Sequence, residues 1–303
     1  MESSTATTPS HAAVEFTLSE VAYDHLLVPL DGTTSALAAL PTAHALAARF
    51  GAEVHAVSVA KDSTAVESLL NVGRVAVEAP IGADRVVVVE DVEPAAAIIQ
   101  RAKELGSCLV VMSAGGRGRV GGALLGSVTR SVLTEVGPVV ALGPLADRPV
   151  WTPPPASWRP ALSVPRIVAC VDGSPGSEAV LPVASSWAQR LGMTLSIVMF
   201  VEDGPTPLRA PEGAARYGFT HDPSEYLQHL VAQWQAGISD TDALVLREPI
   251  GPGSGIRLHL SNRPAGLVAV STQARSGMRR ILGGAAADKI TRSSVAPCLV
   301  VHQ

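Results

Sequence analysis

The sequence predicts an α/β fold of two doubly wound domains, each a five-stranded parallel sheet with helices on both faces. Three observations point there. Strand-like and helix-like stretches alternate along the chain, the alternation occurs twice, and the composition suits buried parallel strands. At 303 residues the chain has room for two ordinary domains. Hydrophobic residues make up 47% of it, charged residues 17% and aromatic residues 4%, so the cores must be built mainly from Ala, Val, Leu and Ile. Such residues favour strands covered on both sides.

Residues 1–23 are rich in Ser, Thr and Ala and read as a flexible tail; with no Lys or Arg before residue 25 they lack the positive start of a secretory signal. The first domain, 24–143, has strand signals near 25–30, 53–60, 85–89, 108–113 and 138–142. Helical stretches fall near 34–50, 64–77, 94–105 and 126–136. Gly51 closes the first of these as a C-terminal cap would, and Pro94 suits a first helical turn. Residues 144–164 carry six prolines with Trp151 and Trp158, which makes a stiff, extended linker. The tryptophans either pin this linker to a domain surface or belong to a proline motif for another protein. The second domain is 165–303.

The repeat is visible residue by residue. His25-Leu-Leu-Val-Pro-Leu-Asp31-Gly32-Thr33 answers to Arg166-Ile-Val-Ala-Cys-Val-Asp172-Gly173-Ser174, and Gly51 to Gly192, both at an offset of 141. Leu109–Ser113 matches Leu267–Ser271 at 158, so about 17 residues are inserted in the second half, at the Pro- and Gly-rich segment 202–222.

A net charge of −4 without a basic stripe argues against nucleic-acid binding, and no apolar stretch is long enough to span a bilayer. Cys108, Cys170 and Cys298 each sit in an apolar run, an odd set that reads as buried thiols in a cytoplasmic protein. The eight histidines show no metal-ligand spacing, and each reads as exposed or satisfied.

The most informative segment leaves the fourth strand as Ser113-Ala-Gly-Gly116-Arg117-Gly118-Arg119, passes Gly121 and Gly122, and reaches a helix at Gly126-Ser127-Val128. Glycines let backbone N–H groups line one side of a ligand, and the start of the next helix adds partial positive charge. A plain surface loop is the other reading. Gly116-Arg-Gly118-Arg-Val-Gly121 fits the dinucleotide fingerprint but follows the wrong strand. Gly121 to Ser127 has Walker spacing without its Lys.

Together, a strand-end Asp31 and a loop of Ser113-x2-Gly116, nine residues, then Gly126-Ser127 resemble the ATP-binding universal stress proteins (UspA-like), here in tandem from about residue 24. The resemblance implies the adenine nucleotide α-hydrolase-like architecture. It also implies ATP in the first domain, with Mg²⁺ or Mn²⁺. Gly116, Gly126 and Ser127 would cradle the triphosphate, with Asp31-Gly32 beside the ribose and phosphates and Val128 in the same helix start. Asp31 could equally cap its own turn, and Arg117 could meet phosphate or solvent. Ser113 departs from the family's glycine. The second half departs further, reading Ser271-x2-Ala274, nine residues, then Gly284-Ala285. Its Arg275, Arg279 and Arg280 are either solvated or anion contacts. The resemblance also implies pairing through the final strands, 138–142 and 298–302, between chains or within one. With no catalytic set evident, the expected function is an ATP-binding, stress-response regulatory protein. A nucleotide-free scaffold is the alternative class, and a slow ATPase a third.

Overall fold

A computed structural model describes residues 22–31, 33–60, 85–90, 93–114, 126–143, 164–201, 222–247, 251–272 and 285–302. The expected tail, linker, helix at 64–77, nearly all of the insertion and the glycine loop lie outside these residues.

In the first half, β1 (His25–Leu30) leads to α1 (Thr34–Leu37) and α2 (Ala39–Phe50), then β2 (Glu53–Ala60) and β3 (Val86–Glu90). α3 (Pro94–Leu105), β4 (Cys108–Ser113), α4 (Ser127–Glu135) and β5 (Val139–Leu142) complete it. The second half repeats this order with β6 (Arg166–Val171), α5 (Pro175–Glu178), α6 (Val180–Leu191), β7 (Thr194–Val201) and α7 (Pro223–Trp234). β8 (Thr241–Arg247), α8 (Pro252–Asn262), β9 (Leu267–Thr272), α9 (Ala285–Ser293) and β10 (Cys298–His302) follow.

One expectation needs correction. The helix expected over 34–50 is two helices, broken at Ala38, and the second half breaks at Ala179 in the same way. Pro41 and Pro182 stand at equivalent places early in α2 and α6. A proline there removes a backbone donor and its ring clashes with the carbonyl four residues back, so the helix restarts.

All ten strands join one sheet, ordered β3-β2-β1-β4-β5-β10-β9-β6-β7-β8. Each half is parallel throughout and runs 3-2-1-4-5 in its own numbering. The halves meet where β5 and β10 pair antiparallel, Val140 facing Leu299. The final strands thus pair within the chain. In each half the strand order reverses between the first strand and its fourth-strand neighbour. At such a reversal, beyond the carboxyl ends of the strands, doubly wound sheets have the crevice that receives ligands.

Leu26, Val28, Leu46, Trp187 and Ile197 fill the core on one face of the sheet, and Leu27, Ile98, Val110, Ile256 and Val268 the other. Cys108, Cys170 and Cys298 are free and buried, as expected. Desolvation holds all three thiols protonated, pushing Cys108 and Cys298 up to about 12. Across the junction the contacts are reciprocal: Arg49 donates to the Leu191 carbonyl at 2.9 Å and its counterpart Arg190 to the Phe50 carbonyl at 3.1 Å. Among the described residues, no helix is long and apolar enough to cross a membrane.

Candidate functional site

The crevice of the first half is built from the ends of β1 and β4, which lie side by side in register from His25 and Cys108 onward. Asp31 leaves β1 and at once folds back on its own turn. Its Oδ1 accepts from the Thr33 amide at 3.0 Å and the Thr33 hydroxyl at 2.6 Å. Thr33 Oγ in turn accepts from the Ala36 amide at 3.2 Å, capping α1. The capping role is therefore present, and one carboxylate oxygen is committed to it.

Ser113, at the end of β4, sits opposite. Its hydroxyl meets the Ser35 hydroxyl at 2.8 Å, tying α1 to β4 across the strand reversal. Its carbonyl accepts from Thr129 Oγ at 3.3 Å, which docks the first turn of α4 onto the strand. The Ala114 amide donates to the Leu142 carbonyl at 2.7 Å, and the Gly126 amide to the Ala114 carbonyl at 3.2 Å. That last bond closes the neck of the loop between residues 114 and 126.

Gly126 is therefore no free donor. It is the N-cap of α4, with φ −57° and ψ 149°, a conformation open to any residue, and it has no side chain to cap the helix. The amides of Ser127, Val128 and Thr129 consequently begin α4 with no acceptor among the described residues. Of the predicted site, Asp31, Ser113, Gly126, Ser127 and Val128 are thus gathered at one crevice. Gly32, Gly116, Arg117 and Gly118 lie outside the described residues, as do Arg119, Ala274, Arg275, Arg279 and Arg280.

The second half keeps the turn and loses the hydroxyl pair opposite it. Asp172 Oδ1 accepts from the Ser174 amide at 2.9 Å and hydroxyl at 2.6 Å, the same turn atom for atom. The counterpart of Ser35 is Gly176, and Ser271, the counterpart of Ser113, has a buried hydroxyl with no partner among the described residues.

Sequence reasoning missed a second feature. His25, Glu53 and His55 bring three ligand-type atoms within 4.8 Å of one another, at the opposite end of the sheet. The spacing Glu53-x-His55 puts both on one strand face, but only the β1–β2 register reveals His25 as their neighbour. The expectation that every histidine is exposed or satisfied also fails. His44, His55, His259 and His302 each bury a ring nitrogen without a partner among the described residues.

Comparison with known proteins now bears on this geometry. The universal stress protein family matches the chain twice, over residues 22–141 and 164–302. The chain belongs to the universal stress protein family. Each of its two copies of the family domain carries one of the crevices above, which makes it a tandem member. A universal stress protein from Archaeoglobus fulgidus DSM 4304 superimposes with a TM-score of 0.64 at 16% identity, covering 93% of this chain and 97% of that one. A putative universal stress protein from Pseudomonas aeruginosa UCBPP-PA14 gives 0.58 at 17% identity, with 93% and 94% covered. At such identities these structures speak for the shared two-domain fold. Comparison with curated proteins gives no match.

Proposed function

We propose that this universal stress protein binds ATP in the crevice of its first half and acts as a stress-response regulator. One observation carries the reading. At the β1–β4 strand reversal, α4 begins with uncapped amides at Ser127, Val128 and Thr129 beside the end of β4 at Ser113, with Asp31 at the end of the neighbouring β1. Uncapped amides at a helix start, with the partial charge of the helix behind them, suit the oxygens of a polyphosphate. Gly116, Arg117, Gly118 and Gly32 are proposed to complete the cradle.

The donor set fits the nucleotide. Hydroxyls at Ser35, Ser113 and Ser127 can meet ribose or phosphate oxygens. A single carboxylate, Asp31, is what Mg²⁺ or Mn²⁺ needs when the phosphates and water supply its other ligands. That ion would screen the charge between Asp31 and the phosphates. Holding rather than rapid turnover is the proposed role, since the segment Gly121–Ser127 has no Walker lysine. Occupancy would regulate by favouring whichever conformation or partner contact binds the nucleotide more tightly.

The alternative, a nucleotide-free scaffold, draws support from the second half, where Gly176 and Ala285 have lost the hydroxyls of Ser35 and Ser127. Thermal denaturation with and without Mg-ATP separates the two. Nucleotide at a hundredfold above its Kd should stabilise the chain by about 2.7 kcal/mol. Gly126→Val should abolish the shift while the chain still folds, because its φ and ψ suit any residue, and Gly284→Val should leave the shift in place. No shift in the unmodified chain would sink the ATP reading and favour the scaffold.

A further inference from the structure

His25 opens β1 and Glu53 opens β2, facing each other in register, with His55 two residues further on opposite Leu27. Strand alternation turns all three side chains to the face that α3 covers, at the end of the sheet away from the nucleotide crevice. His25 Nδ1 and His55 Nε2 lie 3.1 Å apart, and Glu53 Oε2 is 3.9 Å from the same His55 nitrogen. A zinc ion with bonds of about 2.0–2.1 Å in a tetrahedral shell spaces neighbouring ligand atoms about 3.3 Å apart. The three donors thus lie within 4.8 Å of one another, joined by a His25–His55 hydrogen bond that an ion would replace. Glu53 has its side chain half exposed at this edge.

A neighbouring group orients these donors. Arg85 holds the other carboxylate oxygen, Glu53 Oε1, at 2.7 Å and so leaves Oε2 to the imidazoles, as outer-shell partners do in metal sites.

The second half carries no histidine at the positions equivalent to His25 and His55, though His259 of α8 lies at the same corner. The counterparts of His25, Glu53 and His55 are Arg166, Thr194 and Ser196, and the counterpart of Arg85 is Asp242. That corner holds an ion pair, Arg263 to Asp242 at 2.7 Å, with Ser196 donating to the same carboxylate. The second-half corner thus carries a partly exposed ion pair beside His259, where the first-half corner gathers two imidazoles and a carboxylate.

We infer that His25, His55 and Glu53 form a binding site for a borderline divalent ion of the zinc class, with a fourth position left to water. Two imidazoles and a carboxylate suit such an ion rather than Mg²⁺, which prefers an all-oxygen shell. The inference is independent of the nucleotide reading.

The test uses the full chain, freed of metal by chelation and without nucleotide. Zn²⁺ is titrated by calorimetry and Co²⁺ by its visible absorption. One ion per chain, intense Co²⁺ bands of a four-coordinate site and a raised thermal midpoint are expected. His25→Gln and Glu53→Gln should each weaken binding at least about tenfold while leaving the metal-free midpoint nearly unchanged. Should His25→Gln fold poorly, Glu53→Gln, at a half-exposed edge position, carries the comparison alone. Absence of saturable binding at one ion per chain, or unchanged affinity in the variants that fold, overturns the site.

Discussion

Asp31 and Asp172 perform the same local task. Each accepts from the amide and hydroxyl two residues ahead, which fixes the turn out of the first strand and starts the next helix. An aspartate at this point therefore does not by itself mark a ligand site; the difference between the halves lies in what faces it. In the first half the Ser35–Ser113 hydroxyl pair and the start of α4 stand opposite, and in the second Gly176 and a Ser271 without a partner among the described residues. The turn has a pH signature of its own. Packing around the Asp172 carboxyl raises its pKa, but hydrogen bonds from Ser174 and Ser177 outweigh this and hold it below the ordinary aspartate value. A group with a depressed folded-state pKa stabilises the fold when ionised. Its contribution is complete above roughly pH 4 and is lost as pH falls through the folded value. Asp172→Asn keeps an acceptor in the turn but removes the charge. Its urea midpoint should fall below that of the unmodified chain at neutral pH and converge with it in acid. A gap that stays constant from neutral to acid pH would place the role of Asp172 in geometry alone.

At the scale of elements, the two halves pack tightly where β5 ends. A Cβ added to Gly143 would lie 2.1 Å from the Thr291 carbonyl oxygen in α9. That neighbour is helix backbone and cannot rotate away as a side chain would. Gly143→Ala should therefore cost about 1–3 kcal/mol by overpacking, read from equilibrium urea unfolding; an unchanged midpoint would mean that α9 shifts freely over the sheet. This contact could not be read from the sequence, because it joins residues 148 apart that no local pattern connects. The strands could be read. Their apolar runs recur at a fixed offset, so β1 and β2 fall at the expected residues and β3 within one residue. The breaks at Ala38 and Ala179 were within reach, since Pro41 and Pro182 mark them, but the apolar periodicity of 34–50 runs through the interruption. For the crevice, Asp31, Ser113 and Gly126 could be named because strand ends and glycines are local signals. Closure of the loop neck by the Gly126 amide could not, and neither could the His25–His55 pair, which depends on register between separate strands.

Across the whole molecule, antiparallel pairing of β5 and β10 turns two repeats into one sheet and leaves β3 and β8 as its edges. The junction is also where the chain concentrates some of its scarce aromatic residues. Trp187 is fully buried, with its ring centroid 5.0 Å from that of Phe50 and 5.9 Å from that of Tyr23, both from the other half. Its Nε1–H donates to the Tyr23 hydroxyl at 3.4 Å, and Arg190 lies over the Phe50 ring at 5.8 Å. None of this is symmetric, for the repeat counterparts of Trp187 and Phe50 are Leu46 and Leu191. The asymmetry allows one substitution to test whether the halves unfold together. Trp187→Ala should cost about 3–5 kcal/mol as a buried aromatic truncation. If the sheet is a single cooperative unit, amide exchange should then speed up in β1, β4 and β5 by the same factor as in β6, β9 and β10, since all open through the same global event. Faster exchange confined to the second half would show two folding units joined at a strand pair. In that case ligand bound in the first-half crevice would protect the first half alone, and regulation would have to act through contacts made by that half.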